Sequence, residues 1–198
     1  MKKVLLNFEI SKENRIEVFF SDEINKFNYF YEPSEKLHVF DEVNIALYMQ
    51  NKQIILAEDP LRDGVESLYN QLIRAKQGLI SLPKGINIGT LSYHINESTY
   101  LSEQVGGKRL INSMNFSVWS LPAGKAQTYM YTSQNKLYLE IGVFYRWHYI
   151  ERTDADIDYI PYEDFIKNYK PILVDEVTNE MASNWMQQCE SLLKQLVL

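Results

Sequence analysis

A chain of 198 residues with 45% apolar side chains can bury a sizeable core and is too apolar for a disordered protein. A net charge of −6, with the lysines and arginines scattered, argues against general nucleic-acid binding, which needs clustered cations. The single cysteine, Cys189, excludes an internal disulfide framework.

The chain opens with Lys2 and Lys3 like a secretory leader, but the apolar run stops at Asn7 and Glu9, too early for one. No run approaches the ~18 apolar residues of a membrane span, so a soluble, cytoplasmic protein is expected. Val4, Leu6, Phe8 and Ile10 alternate with Leu5, Asn7 and Glu9, the period of a strand. Ser11–Arg15 reads as a turn, and Ile16, Val18 and Phe20 as the returning strand. Lys26–Tyr31 is a third candidate, ended by Pro33. Val43, Ile45, Leu47 and Met49 mark one face of the next, and Gln53–Ala57 returns after a turn at Asn51–Lys52. The pattern is that of an antiparallel meander.

At Asp59 the period changes. Asp59 is a good N-cap and Pro60 fits the first helical position, where its missing N–H is not needed. Leu61, Val65, Leu68, Leu72 and Ala75 then fall on one helical face, and Gly78 can take the left-handed conformation that stops a helix. Gly64 weakens the first turn by up to ~1 kcal/mol. The spacing predicts a helix over 60–77. From Leu79 to Ile111 the pattern is irregular and glycine-containing, with a short strand near Thr90–His94.

Strands resume at Asn112–Pro122, with Met114, Phe116 and Val118 on one face and Asn115, Ser117 and Trp119 on the other. A hairpin around Gln134–Lys136 follows. Leu137, Leu139, Ile141, Val143, Tyr145 and Trp147 make an unbroken apolar face, opposite Tyr138, Glu140, Gly142, Phe144, Arg146 and His148. Such a strand belongs in the middle of a sheet. Tyr162–Lys170 reads as a short helix. Pro171 opens a final one, with Val174, Val177, Met181, Trp185, Cys189, Leu192 and Leu196 on a single stripe. The fold class expected is therefore α+β. A mostly antiparallel sheet of about seven to nine strands packs against two main helices, 60–77 and 171–196, in a single domain over 1–198.

Motifs for chemistry are weak. Cys189 lies on the buried stripe, where a thiol is a small core residue rather than a nucleophile. His38, His94 and His148 form no metal-binding pair. His94 and Glu97 would align only on a helix, which Tyr93, Asn96 and Ser98 do not support. Gly106–Arg109 lacks the earlier glycine and the Ser or Thr of a phosphate loop. Asp154, Asp156 and Asp158 begin like a calcium loop, but Tyr159 and Phe165 stand where an EF-hand needs Gly and Glu. No catalytic residue, metal ligand or cofactor is expected.

The strongest signal is Glu151–Asp164. Six carboxylates against one cation, Arg152, leave five of the chain's six net negative charges in fourteen residues. A solvated acidic loop is one reading. Aromatics are interleaved with the acids, which favours a surface for a basic protein partner: charge steers encounter and tyrosines supply buried area. The expected contact residues are Asp154, Asp156, Asp158, Tyr159, Tyr162, Glu163 and Asp164.

In its size, acidity and mixed α+β pattern the chain resembles the immunity proteins of bacterial toxin–immunity systems, including contact-dependent growth inhibition. The resemblance implies a non-catalytic inhibitor that binds one cognate toxin domain, often a basic nuclease. It carries no family residue over to this sequence. Two other classes compete: an enzyme of unfamiliar type built on 79–111, and a structural subunit of a larger assembly.

Overall fold

The computed structural model describes residues 3–20, 36–50, 52–82, 88, 115–119, 126–143 and 159–197. The period-two stretches of the first third form β1 (Val4–Glu9), β2 (Asn14–Phe20), β3 (Glu42–Met49) and β4 (Lys52–Pro60), an antiparallel sheet in chain order. The register sets Phe8, Ile16 and Leu47 in one row and Leu6, Val18 and Ile45 in the next. All six are buried, so the alternation read from sequence is the core face of this sheet. Gln50, with φ 51°, already leaves β3, and Lys52 already belongs to β4, so the turn expected at Asn51–Lys52 begins earlier. Lys26–Tyr31 and Thr90–His94 lie outside the described residues, and β2 pairs directly with β3.

A second antiparallel sheet holds β5 (Ala126–Ser133), β6 (Lys136–Val143) and β7 (Leu173–Val177), with β6 in the centre as its sequence implied. Gln134 and Asn135 both have positive φ, which gives the tight two-residue hairpin between β5 and β6.

Among the described residues the expected single sheet of seven to nine strands is not formed; two sheets of four and three strands stand in its place. The reason lies at the edges. β4 and β5 are in contact, but among the described residues no ladder joins them. β5 is instead bonded along its outer side by two short segments. Leu82 N–H donates to the Thr132 carbonyl (2.8 Å) and Thr132 N–H to that of Ile80 (2.8 Å). Val118 N–H donates to Thr128 (2.9 Å) and Met130 N–H to Phe116 (2.8 Å). Within the strand expected over Asn112–Pro122, residues 115–119 make only an isolated bridge, Ser117 to Tyr129.

Three helices complete the described residues: α1 (Leu61–Lys76), α2 (Tyr162–Asn168) and α3 (Asn179–Leu193). α1 buries Leu61, Val65, Leu68 and Leu72, the stripe its spacing predicted. Its start differs. Pro60 is the N-cap and no side chain caps the turn, so Asp59 does not play the role expected of it. The first N–H groups are satisfied from a distance: Leu61 donates to the Asp41 carbonyl (2.7 Å) and Arg62 to that of Val39 (3.2 Å). Its end is as expected. Gly78 has φ 69°, Leu79 N–H donates to Arg74 (2.9 Å) and Gly78 N–H to Ala75 (3.0 Å), the paired bonds of a Schellman stop.

α3 begins eight residues later than Pro171 suggested, because 173–177 is β7. Thr178 caps α3, accepting from Met181 N–H at 3.2 Å. Val174 and Val177 fit a helical stripe and a strand equally, and pairing with β6 decides for the strand. The rest of the stripe holds: Trp185, Cys189 and Leu192 are buried, and burial pushes the Cys189 thiol up to about 12. Trp185 packs on Phe8 of β1 with ring centres 5.6 Å apart. α1 packs on α3 and on β3, β4 and β5, so one apolar cluster runs through both sheets and both long helices.

A polar clamp ties 115–119 into that cluster. Gln71 Nε2 of α1 donates to the carbonyls of Asn115 (3.0 Å) and Ser117 (2.6 Å). Trp119 Nε1 donates to the Gly64 carbonyl at 3.0 Å. Gln127 Nε2 reaches Ser117 Oγ (2.6 Å) and the Trp119 carbonyl (3.1 Å). The clamp depends on buried donors, so Gln71→Leu strands two carbonyls. It should lower the unfolding free energy by about 1–3 kcal/mol in urea denaturation. An unchanged midpoint and slope would show that the clamp contributes nothing.

Candidate functional site

The acidic segment enters the described residues at Tyr159. Asp154, Asp156 and Asp158 lie outside them. Tyr159 is half-buried, less open than a free contact anchor, and Tyr162 heads α2. Glu163 and Asp164 stand exposed in the first turn of α2, where carboxylates are favoured by the helix dipole. Phe165 N–H donates to the Pro161 carbonyl at 2.9 Å, and Asn168 Nδ2 donates to the Asp164 carbonyl at 2.8 Å.

What holds this short helix is a buried carboxylate. Seven residues cannot sustain an isolated helix, so α2 needs a tertiary anchor. Tyr169, at its C-cap, leaves helical geometry and donates its hydroxyl to Glu140 Oε1 of β6 at 2.9 Å. Tyr131 of β5 donates to Glu140 Oε2 at 3.1 Å. Glu140 is 4% exposed, so these phenols replace water around a charge that would otherwise be costly to bury. Burial, followed by the neighbouring Glu140 carboxylate, raises the Tyr131 hydroxyl well above the usual tyrosine range, so it stays a donor. Tyr138 stacks on Tyr131 (5.7 Å, 26°), and Phe165 leans on Tyr169 (5.9 Å). Gly142 makes the seat possible: a Cβ there would run into the Tyr169 hydroxyl.

The face of β6 read as mixed from sequence is therefore covered rather than wet. Glu140, Tyr131, Tyr169 and Gly142 were not among the residues the sequence singled out. The signal was an acid and a glycine inside the apolar run Leu137–Val143, since a strand interior holds neither without a local reason.

Other chemistry finds little support in the described residues. His38 N–H donates to Asp41 Oδ2 (2.8 Å), and its ring lies 5.7 Å from that of the exposed Phe40. His94, His148 and Gly106–Arg109 lie outside the described residues, as does most of 79–111. Among the described residues no group of three or more His, Cys, Asp and Glu is placed to hold a metal ion. Nor is any helix among them long and apolar enough to cross a membrane. An open hollow of about 530 Å³ at the β1–β2 turn is lined by Glu9–Arg15 and Met181, and none of the expected site residues borders it.

A second acidic neighbourhood sits at the start of α1. Burial, then Asp63 and then Glu42 raise the Asp59 carboxyl to about 6. A folded-state value above the unfolded one means that protonation favours the fold. The contribution is complete below about pH 4 and is lost as pH rises through about 6. Asp59→Asn should therefore stabilise the protein above pH 6, by at most ~1 kcal/mol because the group is half exposed and solvent screens it. The gain should vanish near pH 4. Thermal melts of both proteins from pH 4 to 8 check this, and a gain independent of pH would rule out burial and like charge at Asp59 as its cause.

Compared with protein-family models, curated proteins and solved structures, the chain matches none of them.

Proposed function

We propose that this chain is a non-catalytic binding protein that docks a basic protein partner, acting in the cytoplasm as an immunity protein against a bacterial toxin domain. The observation that carries the reading is the setting of Glu163 and Asp164. They are exposed on a helix whose far end is tied to the sheet through Tyr169 and Glu140. Solvent-facing carboxylates on a backbone anchored to the sheet, at the end of a strongly acidic segment, give a partner's cations a defined target. Little backbone freedom is then lost on association. Asp154, Asp156 and Asp158 extend the same charge along the chain, and Tyr159 and Tyr162 supply aromatic contact area.

The test is association kinetics with the partner captured from the native host. Glu163→Lys with Asp164→Lys, and separately Asp154→Lys with Asp156→Lys and Asp158→Lys, should each slow association by about tenfold or more at low salt. The difference should shrink as ionic strength rises and the Debye length falls to ~10 Å at 0.1 M. Both variants should keep the parent's melting temperature within a few degrees, since exposed like charges interact by only about 1 kcal/mol in water and each lysine at the exposed start of α2 costs at most about 1 kcal/mol against the helix dipole. Parental rate and affinity in folded variants would reduce the acidic segment to a solvated loop.

A further inference from the structure

Among the described residues the two sheets have four outer edges, β1, β4, β5 and β7. β1 lies against α3, whose Gln188 Oε1 accepts from the Asn7 N–H at 3.4 Å. β4 packs beside β5 and runs straight into α1. β5 is bonded along its outer side by the segments at 80–82 and 116–118. Among the described residues β1, β4 and β7 carry no strand on their outer sides, and of these β7 adjoins the helix that bears Glu163 and Asp164.

An open strand edge is a row of unpaired N–H and C=O groups, and proteins blunt such edges by keeping them short or with charged side chains, proline or bulges. β7 reads Leu-Val-Asp-Glu-Val: it has no lysine, proline or bulge, and its shortness and two acids are what guard it. Its register with β6 runs without a shift. Val174 is 43% exposed, leaving apolar contact area on the strand. Its charges are Asp175 and Glu176, the latter bridged to Lys136 at 2.6 Å. These acids decide what can pair there. A second copy meeting this edge antiparallel, in registers centred on the acidic pair, would set carboxylate opposite carboxylate, which is unfavourable. An acidic strand is disfavoured for the same reason. A strand bearing lysine or arginine is favoured.

We infer that the outer edge of β7 accepts an extended, basic segment of the protein partner as an added strand. Main-chain bonds along 173–177 would supply affinity, and Asp175 with Val174 would supply selectivity. The inference rests on the proposed acidic docking function and locates its second contact. Only Tyr169–Ile172 separates α2 from β7. Glu140, to which Tyr169 is anchored, is the register partner of Val174. A segment added at β7 would thus sit next to the helix that carries Glu163 and Asp164.

Amide hydrogen exchange on the intact chain, read by NMR, tests this with synthetic six-residue peptides. The probes are alternating valine and lysine, the same peptide N-methylated on every backbone amide, and alternating valine and glutamate. The basic peptide should slow exchange at alternate amides of 173–177 by about tenfold or more at saturation, as new ladder bonds form. The N-methylated and glutamate peptides should not. Equal protection by the glutamate peptide would overturn the basic specificity. Failure of the basic peptide to protect β7 at millimolar concentration would overturn strand addition. If that peptide instead shifts only Glu163 and Asp164, strand addition fails and the acidic docking surface survives. Protection of β7 beside unchanged partner association in the Glu163→Lys and Asp164→Lys variant would support the edge and remove the acidic-helix reading.

Discussion

Glu140 is the constraint around which the second half of the chain is arranged. A carboxylate taken out of water costs several kcal/mol unless other donors replace the solvent. Both of its oxygens accept from phenols, one on the neighbouring strand and one at the end of α2. The requirement propagates outward. Tyr169 must reach down, so position 142 must be a glycine. The chain between α2 and β7 is then short and fixed, with Ile172 N–H donating to the Ile141 carbonyl at 2.7 Å. The placement of an acidic helix and of an open strand edge both follow from satisfying one buried charge.

The first half is organised by a different solution to the same problem. Backbone groups at the start of α1 and along 115–119 are served by long-range partners. The carbonyls of Val39 and Asp41 cap the helix, and Gln71, Gln127 and Trp119 hold the segment that closes the β5 edge. Gly64 lets α1 lie close enough to β3 for the Trp119 bond to form, since even a Cβ there would press on Ile45. Closing that edge keeps the sheets separate, and it leaves β7 as the place where the second sheet can still grow.

These arrangements explain what could be read from the sequence. Local rules were legible: the Leu61–Leu72 stripe, the stop at Gly78, the turn at Gln134–Asn135 and the exposure of Glu163 and Asp164 each depend on neighbours in the chain. Partnership between distant segments was not. Period two tells which residues share a face, and it does not tell which strand lies beside which, so one sheet was expected where two form. Asp59 has the chemistry of an N-cap, but carbonyls from about twenty residues away reached the helix first. Val174 and Val177 satisfy both periods. Glu140 was assigned to a mixed face because nothing near it in sequence announces Tyr169.

The central claim is that Glu140 and Tyr169 together fix α2 to the sheet. A double-mutant cycle with Glu140→Ala and Tyr169→Phe, followed by urea denaturation and by hydrogen exchange at the α2 amides, measures it most directly. The account predicts a coupling of about 1.5–3 kcal/mol, as for hydrogen bonds to charged groups. It also predicts that Tyr169→Phe speeds exchange in 162–168 while β5 and β6 keep their protection. Additive single effects, within about 0.5 kcal/mol, and unchanged α2 exchange would contradict it.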